Sequence, residues 1–198
     1  MKPKLLALLV AVCLSVCARG ADLTTAQLQS LKAAIVADDA FNAFEANPTP
    51  DGAFAVADAF NLAATPDFWV WRTSVSKSEL VNMQSTDADG STTRSFIWAG
   101  NGFITRSVGE QAAWQELFNG TGTVNPSLPN VRQAFTEIFS GTGNAASNRT
   151  HLANVGRRKA KRIEKVYATG TGTAASPATM TFEGSIAYQD VLNAMATQ

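Results

Sequence analysis

The sequence predicts a mainly α fold: a compact multi-helix domain with at most a minor β pair and Gly/Thr-rich loops. Three observations predict it. Apolar residues recur at helical spacing in several segments, serines that can cap a helix stand three positions before a glutamate, and the tripeptide Gly-Thr-Gly recurs after predicted helix ends. The 198 residues are 45% hydrophobic and 16% charged, which fits one domain with a buried core.

The first half of the chain predicts four helices separated by turn-forming residues. Thr24 or Thr25 can cap the first helix, in which Leu28 and Leu31 follow helical spacing. A short second helix covers about 38–46, and "AFAVADAFNLAA" is typical of an apolar third helix. Ser76 and Glu79 form a capping box that opens the fourth. Two stretches, "DFWVWRTSV" and "RSFIWAGNGFITR", are the candidates for short extended pieces.

The second half predicts four more helices. A second capping box, Ser107 with Glu110, opens the clearest of them, "VGEQAAWQELF". Asn130 is the expected cap of "VRQAFTEIF", and Ser185 is the expected cap of the last helix. One long helix is predicted over about Asn148–Tyr167.

Residues 1–20 differ from the rest of the chain. Lys2 and Lys4 precede "LLALLVAVCLSVC", and Ala18 to Gly20 offer small residues before Ala21. This pattern is typical of a secretory signal peptide, and the apolar run is too short to span a bilayer comfortably. The alternative is a misassigned N-terminal extension that arises from a start codon placed too far upstream. In either case residues 21–198 are expected to form the single helical domain.

Removal of residues 1–20 would change the chemistry of the chain. Both cysteines, Cys13 and Cys17, lie in this segment, so the remainder could form no disulfide or zinc–thiolate site. Thirteen basic residues would then face sixteen acidic ones, for a formal net charge of −3. A mildly acidic chain is not typical of a nucleic-acid-binding protein.

A basic segment lies within the long predicted helix. Four cations fall largely on one side of it, and they are the candidate partner-binding residues: Arg158, Lys161, Arg162 and Lys165. Three interpretations are open: a solvated face, a contact with an acidic protein partner, and a nucleic-acid contact. No aromatic residue interleaves the cluster before Tyr167, so the pattern does not indicate a base-stacking platform.

The remaining motifs indicate neither an enzyme nor a cofactor site. The run "ATGTGTAASPAT" lacks the lysine of a phosphate-binding loop, and the single histidine, His151, excludes an imidazole cluster. "DADG" at 87–90 lacks the further ligands of a calcium loop, so no metal is expected there. Trp69 and Trp71 would share one side of an extended segment. Core burial is their default, and a binding surface is the alternative.

Four stretches together resemble a family of structural proteins from tailed bacteriophages and prophages. They are "FWVWRTSVSKSE", "GFITRSVGEQAAWQELFN", "NPSLPNVRQAFTEIFSG" and "GTGTAASPATMTFEGSIAYQDV", and the similarity covers nearly all of the chain from Leu23 onward. The family carries no catalytic motif. The resemblance implies a non-enzymatic virion component of the head–tail or tail region, assembled in the host cytoplasm, whose partners are other virion proteins or copies of itself.

Residues 1–20 favour a different location and function. A genuine signal peptide would make the chain a secreted or periplasmic helical binding protein, which is the alternative function. Neither setting predicts a nucleic-acid partner or a stable membrane span in the mature chain.

Overall fold

The computed structural model describes residues 22–198, so the predicted signal peptide at 1–20 lies outside the described residues. Across residues 22–198 the fold is a helix-rich mixture of α and β structure, 49% helical and 12% strand. The predicted mainly α class with at most one minor β pair is therefore wrong. Among residues 22–198 the strands form four antiparallel two-stranded pairs.

The helices and strands are numbered in chain order. The α-helices are α1 Thr25–Val36, α2 Asn42–Ala46, α3 Pro50–Asn61, α4 Lys77–Asn82, α5 Val108–Glu116, α6 Pro129–Ile138, α7 Asn144–Val155, α8 Arg162–Val166 and α9 Tyr188–Ala196. The strands are β1 Trp69–Trp71, β2 Val75–Ser76, β3 Ser85–Thr86, β4 Thr93–Arg94, β5 Thr123–Val124, β6 Arg157–Lys159, β7 Ala168–Thr169 and β8 Thr179–Met180. Single turns of 3₁₀ helix cover Asp39–Phe41 and Gly100–Gly102.

β1 lies within "DFWVWRTSV", as predicted for an extended piece, but the strand pairings escaped prediction because each strand is only two or three residues long. Alternation of apolar and polar side chains needs a longer run to be recognised. In two of the pairs the partners are also far apart in sequence: β1 pairs with β6, and β2 pairs with β5. Such strands are specified by tertiary contacts and not by their own residues.

Two helical cores and a small β cluster form the interior. In the first core α1, α3, α8 and α9 pack together around Leu31, Phe60, Ile163 and Val191. In the second, α4 to α7 and the adjoining strands surround Trp114, which is fully buried. The β cluster is made by four other buried residues: Val70, Ala160, Ala178 and Met180.

The N-cap residues predicted from the sequence are confirmed at three helix starts. Thr24 caps α1, Ser76 caps α4 with Glu79, and Ser107 caps α5 with Glu110. The box is formed because the serine Oγ accepts from the glutamate N–H while the glutamate carboxylate accepts from the serine N–H.

Two predicted caps are wrong. Pro129 begins α6 after Leu128, so Asn130 lies inside the helix. α9 begins at Tyr188, and the Ser185 hydroxyl is instead a partner of the Lys161 ammonium group. Proline is well suited to a first helical position, since its missing N–H has no partner there in any case.

The single long helix predicted over Asn148–Tyr167 is also wrong. α7 ends at Val155, where the Gly156 N–H donates to the carbonyl oxygen of Leu152. The chain then becomes extended, and β6 pairs with β1 before α8 begins at Arg162. The four candidate residues therefore do not share one helix: Arg158 lies on β6, Lys161 immediately precedes α8, and Arg162 and Lys165 lie on α8. In the part of the chain that the structure describes, no helix is long and apolar enough to cross a membrane.

Candidate functional site

Arg158 forms part of a partly buried ion-pair network. Its two terminal nitrogens donate to the two carboxylate oxygens of Glu164, each over 2.7 Å, and Nη2 also lies 2.9 Å from Glu183 Oε1. Burial of Glu164 opposes its ionisation, but Arg158 and the Lys161 N–H outweigh that effect and hold the pKa of the Glu164 carboxyl below its usual range. The guanidinium is thus committed to contacts within the protein.

Lys161 and Arg162 have internal partners too. Lys161 Nζ donates to Ser185 Oγ over 2.6 Å and to the Gly184 carbonyl over 3.2 Å. Arg162 pairs with Asp38, and its guanidinium lies over the Phe60 ring at 4.4 Å from the centroid. Both side chains fasten α8 to neighbouring segments.

Lys165 is the only one of the four candidates whose side chain has neither an ion pair nor a hydrogen bond within residues 22–198. Its ammonium group is exposed and lies 5.6 Å from the centroid of the Phe68 ring. With Arg162 it lines an open depression of about 640 Å³ whose walls include Phe60 and Leu62. A role for these four residues in partner binding stays a prediction, but they do not form one cationic face.

The two tryptophans of β1 lie on the same side of the strand, as expected, with Val70 buried on the other side. Each indole is partly buried and carries a guanidinium over its ring: Arg157 at 5.2 Å from Trp69 and Arg132 at 4.8 Å from Trp71. Cation–π contacts of this kind stabilise an aromatic ring at a partly exposed site. These contacts occupy one face of each indole, and the predicted aromatic binding surface stays untested.

The third Gly-Thr-Gly tripeptide, Gly170–Gly172, is held in place by β1 beside it. The Trp69 N–H donates to the Gly172 carbonyl over 2.7 Å. Gly172 has a φ of +64°, and a Cβ there would lie 2.0 Å from Phe68 Cε2. Glycine is needed at this position because any side chain would collide with the phenyl ring.

His151 forms a buried pair with Ser85 that sequence reasoning missed. Its Nε2 lies 2.9 Å from the Leu80 carbonyl and its Nδ1 lies 2.8 Å from Ser85 Oγ, so the serine hydroxyl donates to the imidazole. Burial lowers the pKa of His151, which favours the neutral ring. The two residues are 66 positions apart, and neither stands in a motif, so no local signal could have joined them.

The Ser85–His151 pair lacks the carboxylate that orients the histidine in a serine nucleophile site, since its third partner is a backbone carbonyl. The pair fastens the β3–β4 hairpin to α7. No grouping of three His, Cys, Asp or Glu side chains that could hold a metal ion occurs among the described residues.

An apolar surface patch surrounds the start of α5. We call it the 98–108 patch; its members are Trp98, Ile104 and Val108, which are 45%, 66% and 85% exposed. The Ile104 N–H donates to the Trp98 carbonyl over 3.0 Å, which holds the first two together. Asn148, fully buried, donates from Nδ2 to the carbonyls of Ile97 and Gly102 and so fixes the bend that presents them.

A groove lies beside this patch, between α5 and α6. The α5–α6 groove encloses about 390 Å³ and is lined by Gly109, Glu110, Ala113, Glu116, Leu117, Ala134, Glu137 and Ile138. Helical spacing predicts that Ala113, Trp114, Leu117 and Phe118 lie on one side of this helix. Three of them do share the second core, since Trp114 and Phe118 are buried in it and Leu117 packs against it, whereas Ala113 is exposed and lines the groove together with Leu117.

Comparisons with protein-family models, with curated proteins and with solved structures find no match for this chain. The resemblance to phage structural proteins therefore stays a prediction.

Acid is expected to destabilise the fold through two carboxylates. The Ser76 N–H and the Arg72 guanidinium lower the pKa of Glu79 from 4.5 to about 2, and the Arg94 guanidinium lowers that of Asp87 from 3.8 to about 2. A carboxyl with a lowered native pKa stabilises the fold above its unfolded pKa. That contribution is lost as the pH falls through this range toward 2.

Urea unfolding monitored by circular dichroism between pH 2 and pH 7 would measure the effect. We expect the midpoint to fall most steeply below about pH 4.5. Glu79→Gln should flatten the curve in this window, and an unchanged slope in that variant would contradict the assignment.

Proposed function

We propose that this chain is a non-enzymatic structural component of a phage or prophage particle, and that it acts by packing against other protein chains. The observation that carries the proposal is the 98–108 patch together with the α5–α6 groove. Exposed large apolar side chains beside an apolar groove are typical of a protein–protein contact. Val108, the most exposed large apolar side chain of the described residues, directly precedes Gly109, which lines the groove.

The resemblance supports the same region. The stretch "GFITRSVGEQAAWQELFN" contains Ile104, Val108 and all of α5, and "NPSLPNVRQAFTEIFSG" contains all of α6. The two stretches thus supply both walls of the groove. A surface shared with other particle proteins would explain why apolar side chains stay exposed there.

Particle incorporation tests the proposal. After induction of the strain that carries the gene, mass spectrometry of purified particles should detect the chain at a fixed ratio to the major particle protein. Ile104→Asp with Val108→Asp should remove it from particles, because the contact would then bury two charges. The isolated fold should change little, since both side chains are exposed.

The matched control is Leu62→Asp, at a 67% exposed leucine just after α3, which should be incorporated normally. Absence of the unmodified chain from particles would contradict the proposal. Recovery of a chain that begins at Ala21 from the periplasm would instead support the secreted alternative.

A further inference from the structure

We propose that the α5–α6 groove binds an amphipathic helix of a partner protein, and that this helix presents lysine or arginine residues beside its apolar face. The inference rests on the proposed function, because it names the chemistry of the partner at that surface. It is carried by the shape of the groove and by the charges on its two walls.

The groove has the shape that a third helix needs. Small residues line it on both sides: Gly109 and Ala113 on α5 and Ala134 on α6. A Cβ added at Gly109 would meet no atom within 4 Å, so the space above it is open. Leu117, which is partly buried, supplies the larger apolar group, whereas Ile138 is only 4% exposed at the floor of the groove. The lining residues run from 109 to 117 along α5, about 12 Å at 1.5 Å per residue, which matches about two turns of a bound helix.

The charges on the walls are acidic and unneutralised. Glu116 on α5 accepts only from the Asn119 amide over 3.2 Å, and Glu137 on α6 only from the Gln133 amide over 2.8 Å. Within residues 22–198 neither carboxylate has a cationic partner. Glu110, by contrast, pairs with Arg106 over 2.9 Å. Two exposed carboxylates on opposite walls of an apolar groove complement an apolar helix face flanked by cations.

A second copy of this chain is a poor source of that helix. Among residues 22–198 every basic side chain except Lys165 already has an ion-pair or hydrogen-bond partner within the chain, although the Lys159–Asp67 pair is half-exposed. Lys165 lies on α8, a helix of five residues whose Ile163 is buried in the first core. Within residues 22–198, one free cation on so short a helix cannot meet both Glu116 and Glu137, so the described helices of a second copy do not supply the partner helix.

Peptide binding to the full chain tests the inference. The probe is a fluorescein-labelled 16-residue helix with leucines at positions spaced three and four apart and lysines on both flanks of that face. Fluorescence anisotropy should show saturable binding that weakens as salt is raised, because screening acts within about 8–10 Å. Glu116→Gln with Glu137→Gln should weaken binding by about 2- to 30-fold, the range expected for two exposed ion pairs.

Two further variants distinguish binding in the groove from nonspecific attraction of a cationic peptide to an acidic protein. Ala113→Trp should fill the groove and abolish binding without a change of charge. Glu45→Gln with Asp58→Asn removes two exposed carboxylates elsewhere and should leave binding unchanged. Equal loss in this control and in the groove variant, or full binding by Ala113→Trp, would overturn the inference.

The test is independent of particle incorporation. A chain that is found in particles but does not bind the peptide keeps the proposed function and overturns the helix partner. A chain that binds the peptide in the groove but is absent from particles supports the helix partner and contradicts the proposed role as a particle component.

Discussion

Trp114→Ala is expected to lower the free energy of unfolding by about 3–5 kcal/mol, the usual cost of truncating a large buried aromatic side chain. The indole is fully buried and is the largest side chain in the second core. Its ring stacks on Phe96 at 5.6 Å and meets Phe118 and Phe139 edge-on at 5.0 and 5.3 Å. Removal would leave a cavity among residues of α5, α6 and the 96–103 bend. Guanidinium unfolding followed by far-UV circular dichroism would measure the loss.

Two variants calibrate this result. Trp98→Ala makes the same substitution at a tryptophan that is 45% exposed, so it should cost clearly less. Trp114→Phe keeps an aromatic ring and removes Nε1, which is buried without a hydrogen-bond partner. It should therefore cost less than Trp114→Ala. Equal losses for Trp98→Ala and Trp114→Ala would show that Trp114 is not the centre of this core.

Local chemistry explains which elements the sequence could predict. A capping box depends on two side chains three residues apart, so Ser76 with Glu79 and Ser107 with Glu110 mark their helix starts without tertiary information. The turn at 87–90 is equally local, since the Gly90 N–H donates to the Asp87 carbonyl over 2.8 Å. Helices with such signals were placed to within a few residues.

The basic segment shows where local chemistry fails. Its apolar and cationic residues fit a helical period, yet Arg157 to Lys159 are extended in the structure. Val70 lies opposite Arg158 in the β1–β6 pair and is fully buried in the β cluster. The pairing therefore completes a tertiary contact between segments about ninety residues apart, which no helical period within 148–167 can reveal.

The candidate surface could be predicted only in part. The sequence shows that α5 has several apolar residues, but not which of them face α6. Trp114 occupies the core, Leu117 packs against that core and also lines the groove, and Ala113 is left exposed in the groove. The sequence alone does not show that Glu116 and Glu137 lie on opposite walls of one groove, because that arrangement depends on the packing of α5 against α6.

Glu164→Ala is expected to destabilise the fold by about 3 kcal/mol, near the lower end of the range for breaking a buried ion pair. The carboxylate is 1% exposed and accepts four hydrogen bonds. Two come from Arg158, one from the Lys161 N–H over 2.8 Å and one from the Gly184 N–H over 3.1 Å. The variant leaves these donors without their acceptor, which costs more than the lost contact itself. The loss stays near the lower end because Arg158 keeps its pair with Glu183.

Urea unfolding at pH 7 would compare this variant with Asp67→Asn, which breaks the half-exposed Asp67–Lys159 pair and should cost below about 1 kcal/mol owing to solvent screening. A double variant, Arg158→Met with Glu164→Leu, should recover part of the stability, because no guanidinium is left facing a missing carboxylate. The recovery stays incomplete because the Lys161 and Gly184 N–H groups still lack their acceptor and Glu183 loses Arg158. If Glu164→Ala cost no more than Asp67→Asn, the network would be a surface feature, and Arg158 would again be available to a partner. A large loss partly restored by the double variant would establish that Arg158 serves the interior of the protein.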